Sequence, residues 1–549
     1  MPAQTPIAIV AERVRGLVGW RRRAAAAGAG AVSALAMAPF FFWPVLWLTL
    51  PVLVWLIDGA ADRHADQRRG RRLVAAAGAG WWWGFGYFLA GLYWIGDAFL
   101  VEAEVFAFLM PAAVMAMPAG LALFYAAATG IASLVWQSRL WRVLGLALAL
   151  SAAEWLRGHI LSGFPWNVLG YALTYPLELM QSAAVLGIYG LTLAAVLIFS
   201  LPALLVTESA SRRSGWAMAL AVALLPLLVA GALGWARLAD APSATVPGVK
   251  IRIVQASTSQ RDRLRPEQWP RILRDHLDLS ARDPAGKPDG LAGVTHVLWP
   301  ETAMPFPPLE HPEVLSAIGD LLPEGTTLIA GAIRVERHPA TGNVSPVGPR
   351  IFNSLLVLGK GGFLVALYDK IRLVPFGEFL PVRPLLAALG LREIAERGGF
   401  TSGSEPRPLL AIPGLPAAAL PLICYEAIFP GANLQGTGAD RQRPAVIVNV
   451  TNDGWFGNTS GPRQHLHQAR VRAVEEGLPL LRAANNGISA GFDAYGRPVG
   501  YLGIDVRGTM DVSLPVALAP PLYARFGDSL FFAAWLCGVG VLGCVVWRQ

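Results

Sequence analysis

The sequence predicts an α-helical membrane bundle of about eight transmembrane helices, joined to one large extracytoplasmic α/β domain built as a layered sandwich of sheets and helices. Three observations lead there. The 549 residues are 54% hydrophobic and 15% charged, with 19 Trp and a mean hydropathy of +0.46, a balance that places much of the chain in lipid. Apolar runs crowd the first 240 positions and recur near the C-terminus. Between them lies a polar region in which short β-branched runs alternate with helical patterns, the signature of mixed α/β architecture.

A transmembrane helix needs about 20 mostly apolar residues. Seven such runs fall near 24–40, 42–57, 73–97, 105–135, 142–156, 182–206 and 215–236, and an eighth near 527–547. The expected organisation is a seven-helix membrane domain over 1–245, a polar domain over 246–515, and an eighth helix with a short cytoplasmic tail over 516–549. The stretches "RVRGLVGWRRR", "DRHADQRRGRR", "SRLWR", "SRRS" and Arg548 hold 15 of the 19 Lys and Arg outside the polar domain; Arg157, Arg237, Lys250 and Arg525 hold the rest. By the positive-inside rule both termini are cytoplasmic, and seven preceding spans put the polar domain outside the cytoplasm. A cleaved leader is the competing reading, since "ALAMA" offers an A-x-A triplet from Ala36 to Ala38. Pro39 and the further spans argue against it.

The formal charge of +8 invites a nucleic-acid partner. Between Ile251 and Met510, however, 26 Lys and Arg face 24 Asp and Glu, so the basic excess belongs to the membrane half and no nucleic acid is expected. Strands are predicted at "VKIRIVQAS", "VTHVLWP", "TTLIAGAI", "NSLLVLG", "FLVALYD", "LPLICYE", "AVIVNVTND" and "ISAGFDAYG", and helices at "PEQWPRILRDHLDLSA" and "PRQHLHQARVRAVEEG". No glycine-rich phosphate loop stands between a strand and a helix, and no cofactor is expected.

Three strands end in a reactive side chain: Glu301 in "VLWPE", Lys370 in "LYDK" and Cys424 in "LICYE". Strand ends are where α/β enzymes place working groups. Each has a bland alternative: a buried structural thiol, a turn glutamate, a solvated lysine. Together they meet the needs of acyl transfer through a thioester. A thiol nucleophile requires a base, because its ordinary pKa is about 8.5. Glu301, following the apolar "HVLWP", can serve as that base, and Lys370 with the N–H of Tyr425 can meet the oxyanion. Cys537 and Cys544 lie in the last apolar run, so Cys424 has no partner for a disulfide within the polar domain.

Other groups have simpler readings. His465 and His467 are two apart, the wrong spacing for a helical metal pair, and "HLHQARVRAVEE" reads as a solvated face, so no metal is expected. Glu154 lies three residues before Arg157, which suggests a local ion pair. "AMPFPPL" and "EFLPVRPLLAALGLRE" are unusually apolar loops, suited to lining a lipid entrance or dipping into the bilayer surface. Asn452, Asp453 and Gly454 fit an Asx turn equally as well as a direct role.

The order "WPE", "YDK…LVPFGEF", "CYE", "NVTNDGWFG" resembles the nitrilase or carbon–nitrogen hydrolase superfamily. Within it, a domain inserted between a seventh and an eighth span is similar to the bacterial apolipoprotein N-acyltransferases. The resemblance implies an αββα sandwich with Glu301 as general base, Lys370 stabilising the oxyanion and Cys424 as nucleophile. It implies supporting roles for Glu378, Tyr425 and Glu426, and a place for Trp455 at the substrate entrance. It further implies a membrane phospholipid as acyl donor, a diacylglyceryl apolipoprotein as acceptor, and residence in the bacterial inner membrane with the catalytic domain periplasmic. A membrane-bound amidase of the same superfamily, and a transporter or scaffold with an inert domain of this fold, are the alternatives.

Overall fold

The apolar runs fold as helices because no water is available in lipid to satisfy an irregular backbone. The computed structural model describes residues 6–63, 69–136, 140–206, 213–337, 349–381, 399–431 and 443–547. Two units emerge: one of Met1–Ala241, Thr459–Glu475 and Pro520–Gln549, the other of Pro242–Asn458 and Glu476–Ala519.

The first unit is helical. Its main N-terminal helices are α1 (Pro6–Arg15), α2 (Gly19–Ser33), α3 (Leu46–Arg63), α4 (Arg69–Leu92), α5 (Met110–Leu134), α6 (Leu140–His159), α7 (Ala183–Ser200) and α8 (Arg213–Ala239). Among the described residues, three stretches are long and apolar enough to cross a membrane: Trp43–Arg63, Ala103–Leu134 and Ala183–Leu204. Small residues let the helix backbones touch. A Cβ on Gly30 would come within 1.8 Å of the Trp83 carbonyl oxygen, and one on Gly86 within 2.0 Å of that of Ala27, so α2 and α4 cross at contact. Glu154 and Arg157 form the ion pair their spacing suggests, with the Arg157 Nε 2.9 Å from Glu154 Oε2 and both side chains buried. The Tyr125 hydroxyl donates to the same carboxylate.

The second unit is a two-sheet sandwich. One sheet has the order β11-β1-β2-β3-β4-β5 and the other β10-β9-β8-β7-β6. Their strands are β1 (Thr245–Gln255), β2 (His296–Leu298), β3 (Thr327–Glu336), β4 (Arg350–Leu358), β5 (Leu364–Asp369), β6 (Ala419–Ile423), β7 (Val446–Thr451), β8 (Leu480–Ala484), β9 (Ser489–Phe492), β10 (Pro498–Leu502) and β11 (Gly508–Pro515). The period of two along each strand builds the layers. Ile251, Ile253, Leu355 and Val357 from one sheet meet Val446, Val448, Val450 and Leu481 from the other in one apolar core. The alternate residues Leu328, Leu356 and Leu358 face a second core, which includes Leu273 of α9 (Trp269–Ser280) and Ile318 of α10 (Pro312–Leu321).

Two sequence expectations need correction. "AMPFPPL" is not a lipid-facing loop: Ala303, Met304 and Phe306 are buried in that second core, and Phe306 stacks on Trp269 with ring centroids 5.6 Å apart. "HLHQARVRAVEE" is not a solvated face. It lies in α11 (Ser460–Glu476), which belongs to the helical unit up to Glu475, and His465, His467, Arg472 and Glu475 are all buried. The polar pattern misled because the surroundings are polar too. His467 Nε2 lies 2.7 Å from Thr174 Oγ1, Glu475 accepts the backbone N–H of Ile188 at 2.9 Å, and Gln464 Oε1 accepts the indole N–H groups of Trp94 at 3.1 Å and Trp166 at 2.8 Å. The last long helix, α12 (Ser529–Trp547), carries Cys537 and Cys544 exposed. Arg548 and residues 382–398, most of "EFLPVRPLLAALGLRE", lie outside the described residues.

Candidate active site

Glu301 follows the short strand β2 after Trp299 and Pro300. The turn that aims it is tightly held: the Arg263 guanidinium donates to the carbonyls of Glu301 at 2.9 Å and Thr302 at 2.6 Å. Thr302 sits at φ +43°, a strained value for a β-branched residue. Gly331 of β3 passes directly beneath, where a Cβ would stand 2.5 Å from the Pro300 oxygen and 2.6 Å from the Glu301 Cα. The side chain is thereby presented to the interior and is 6% exposed.

Lys370 is the first residue beyond β5, tied to β4 by its N–H bond to the Asn353 carbonyl at 2.9 Å. Its ammonium, 1% exposed, lies 2.8 Å from Glu378 Oε1 and 3.4 Å from Glu301 Oε1. Asn353 Nδ2 donates to both carboxylates, at 3.0 and 2.7 Å, and so spaces them around the lysine. The second oxygen of Glu378 accepts the N–H of Val374 at 2.9 Å. Burial alone would push the lysine pKa down, but the Glu378 and then the Glu301 carboxylates outweigh it and raise it above the ordinary value. Lys370 is therefore a fixed cation, not a solvated strand-end charge.

Cys424 is the first residue beyond β6, sits at φ +50° and opens a 3-10 turn through Ile428. This sharp exit lifts the sulfur off the strand, leaving the residue 8% exposed. Burial, reinforced by the Glu301 charge, pushes the thiol pKa up, while Lys370 pulls it down. The thiol is thus kept protonated at neutral pH, so any attack by its sulfur would need a base to remove that proton.

Glu426 locks the two strand ends together. One of its oxygens accepts the N–H of Ile423 at 2.8 Å; the other accepts the Tyr368 hydroxyl at 2.7 Å, the N–H groups of Ile371 at 3.0 Å and Arg372 at 3.1 Å, and Arg407 Nη2 at 2.9 Å. Burial would raise its pKa, but Arg407 and these donors lower it overall. Because Ile371 and Ile423 flank Lys370 and Cys424, one carboxylate sets the spacing of cation and thiol. Tyr425 is buried beside Phe429, with ring centroids 5.1 Å apart. Trp455 stands 36% exposed on the 3-10 turn after β7, and Asn452 caps that turn by accepting the Gly454 N–H at 3.4 Å, the expected Asx geometry.

Chemically, this is a buried thiol with one cation and two carboxylates at converging strand ends. The cation is already held in place by its two carboxylates, so a developing oxyanion can meet it without reorganisation. Asn353, Arg263, Tyr368 and Arg407 escaped the sequence reading. Asn353 alone left a trace, as a polar residue opening the apolar "NSLLVLG".

Residues 29–201 match the apolipoprotein N-acyltransferase N-terminal domain, and residues 250–521 match the carbon-nitrogen hydrolase domain. An apolipoprotein N-acyltransferase of Rhodopseudomonas palustris is 47% identical over 511 residues, covering 93% of this chain and 92% of that protein. A second, from Bradyrhizobium diazoefficiens, is 47% identical over 512 residues with the same coverage. A third, from Brucella melitensis, is 45% identical over 513 residues, again covering 93% of this chain and 92% of the relative.

Proposed function

This chain belongs to the apolipoprotein N-acyltransferase family, and from that premise we propose that it moves a fatty acyl group from a membrane phospholipid to the α-amino group of a diacylglyceryl-cysteine apolipoprotein through a thioester on Cys424. One observation supports this reading above the rest: the Lys370 ammonium is buried between the Glu301 and Glu378 carboxylates, at 3.4 and 2.8 Å.

In the first half-reaction Glu301 takes the Cys424 proton as the sulfur attacks the ester carbonyl of the donor. The oxyanion forms against Lys370 and the N–H of Tyr425. Collapse breaks the ester C–O bond, Glu301 returns its proton to the departing glycerol oxygen, and a lysophospholipid leaves. In the second half-reaction the acceptor amine attacks the thioester and Glu301 accepts its proton. The C–S bond breaks, and the sulfur regains a proton from Glu301 as the amide is released. Glu378 holds Lys370, Glu426 spaces it from Cys424, and exposed Trp455 stands at the substrate entrance.

Both substrates are lipid-anchored, so a catalytic domain tethered to the same bilayer searches a surface instead of a volume. The 15-to-4 distribution of basic residues supports eight spans with cytoplasmic termini and a periplasmic catalytic domain over 246–515 in the bacterial inner membrane. The test is in vitro transfer from a defined phospholipid to a diacylated lipopeptide. Glu301→Gln, Lys370→Ala and Cys424→Ala should each lose transfer by roughly 100-fold or more; activity in all three overturns the reading.

A further inference from the structure

β7 runs parallel to β6 with Val450 opposite Ile423, which sets the next residue, Thr451, beside Cys424. Thr451 is fully buried, and its side chain acts on the Cys424 thiol, whose pKa it lowers. The same hydroxyl donates to Asp453 Oδ1 at 3.0 Å. The other Asp453 oxygen accepts Arg482 Nη2 at 2.7 Å, Arg482 Nη1 donates to Asn449 Oδ1 at 2.6 Å, and Asn449 Nδ2 donates to the Leu422 carbonyl at 3.0 Å, two residues before the nucleophile. The hydrogen bonds thus run from β6 at Leu422 through Asn449, Arg482 and Asp453 to Thr451, the residue set beside Cys424. A carboxylate oxygen of Asp453 lies within 4.8 Å of the sulfur. Gly487 is moulded to this arrangement, since a Cβ there would stand 2.5 Å from Asp453 Oδ2.

An ion pair as buried as Arg482–Asp453 contributes little net stability over a well-packed apolar pair. Its position behind the nucleophile suggests a different use. We propose that Thr451 is a further catalytic residue whose hydroxyl turns from Asp453 to the Cys424 sulfur as the thiol loses its proton, with Asp453 and Arg482 as positioning residues. In the resting site the S–H donates to Thr451 Oγ1 while the Thr451 O–H donates to Asp453. When Glu301 takes the thiol proton, the hydroxyl rotates and donates to the thiolate, and Asp453 keeps its bonds from Arg482. Once the thioester forms, the sulfur is neutral and the hydroxyl returns. The same donor meets the sulfur again when it leaves in the second half-reaction. Three charged groups already face the sulfur: Glu301 beyond β2, Lys370 beyond β5 and Asp453 beyond β7. A neutral donor stabilises the thiolate while leaving Lys370 free for the oxyanion.

The inference rests on Cys424 being the nucleophile, and the experiment separates the two. Steady-state transfer by the full-length enzyme is measured for Thr451→Val, Thr451→Ala, Thr451→Ser and Cys424→Ala, with iodoacetamide alkylation of Cys424 at pH 8 for the variants that retain it. Thr451→Val and Thr451→Ala should lose kcat by about tenfold or more, with KM for the lipopeptide unchanged and alkylation slowed by a similar factor. Thr451→Ser should stay within about threefold of wild type, since it restores the hydroxyl. Should Thr451→Val not fold, Ala against Ser isolates the same oxygen. Equal kcat in Ala and Ser, at any level, overturns the role of the hydroxyl. Activity in Cys424→Ala overturns the underlying reading instead.

Discussion

Cys424 is poised by opposing charges, and each can be removed singly. Burial and then Glu301 push its thiol pKa up and Lys370 pulls it down, with Asp453 a weaker upward influence. Glu301→Gln should move the alkylation midpoint of Cys424 to lower pH and Lys370→Ala to higher pH; shifts of the same sign would contradict the electrostatic account. Glu426 offers a stability test. Its folded pKa lies below the ordinary carboxylate value. The stability it contributes is therefore present above the unfolded pKa of about 4.3 and is lost as pH falls through the lower folded value. Glu426→Gln leaves Arg407 buried without its counter-charge, at a cost of about 3–5 kcal/mol. Adding Arg407→Met should recover much of that loss in denaturant unfolding, and equal losses in single and double variants would show that the pair is not the cause. Glu301, Lys370 and Cys424, the proposed working groups, stood out in the sequence because each interrupts an apolar strand end. Arg407 did not, since nothing in "SEPRPLL" distinguishes a buried counter-ion from a surface arginine.

Among the elements, the meeting of β2 and β3 positions Glu301, the proposed base. Gly331→Ala would drive a Cβ into the backbone of Pro300 and Glu301, so the turn must shift. Transfer should fall by roughly tenfold through kcat, with about 1–3 kcal/mol of stability lost; full activity in this variant would show that the Glu301 turn tolerates displacement. Eight strands could be read from β-branched runs. β8, β10 and β11 were not seen, because "LPLLRAA", "RPVGYL" and "GTMDVSLP" interrupt their apolar residues with Arg, Gly or Asp. In β8 the interruption is Arg482, whose partners Asn449 and Asp453 come from β7 and the turn after it. The polar face of α11 was misread for the same physical reason: hydrophobic periodicity detects apolar burial, and this helix is buried by hydrogen bonds.

At the scale of the whole molecule, composition and the apolar runs separated a helical part from a polar part, since lipid and water select opposite residues, and the alternation of strand and helix patterns pointed to a sandwich in the polar part. The number of spans is harder to read. Glycine-rich helices such as α2 and α4 are less apolar than an isolated span, because their close crossing places glycine against backbone. Single cysteines introduced at Lys287 and Arg69 of a variant lacking Cys424, Cys537 and Cys544 should be labelled by a membrane-impermeant maleimide in intact cells at position 287 and spared at position 69. The reverse pattern would invert the proposed topology. The central claim is that an acyl group rests on Cys424 between donor and acceptor. Intact-protein mass spectrometry after incubation with phospholipid, without lipopeptide, tests it directly. The account predicts a long-chain acyl adduct on Cys424 that disappears when lipopeptide is added and never forms in Glu301→Gln. An unmodified Cys424 in an enzyme that still transfers acyl groups would contradict it.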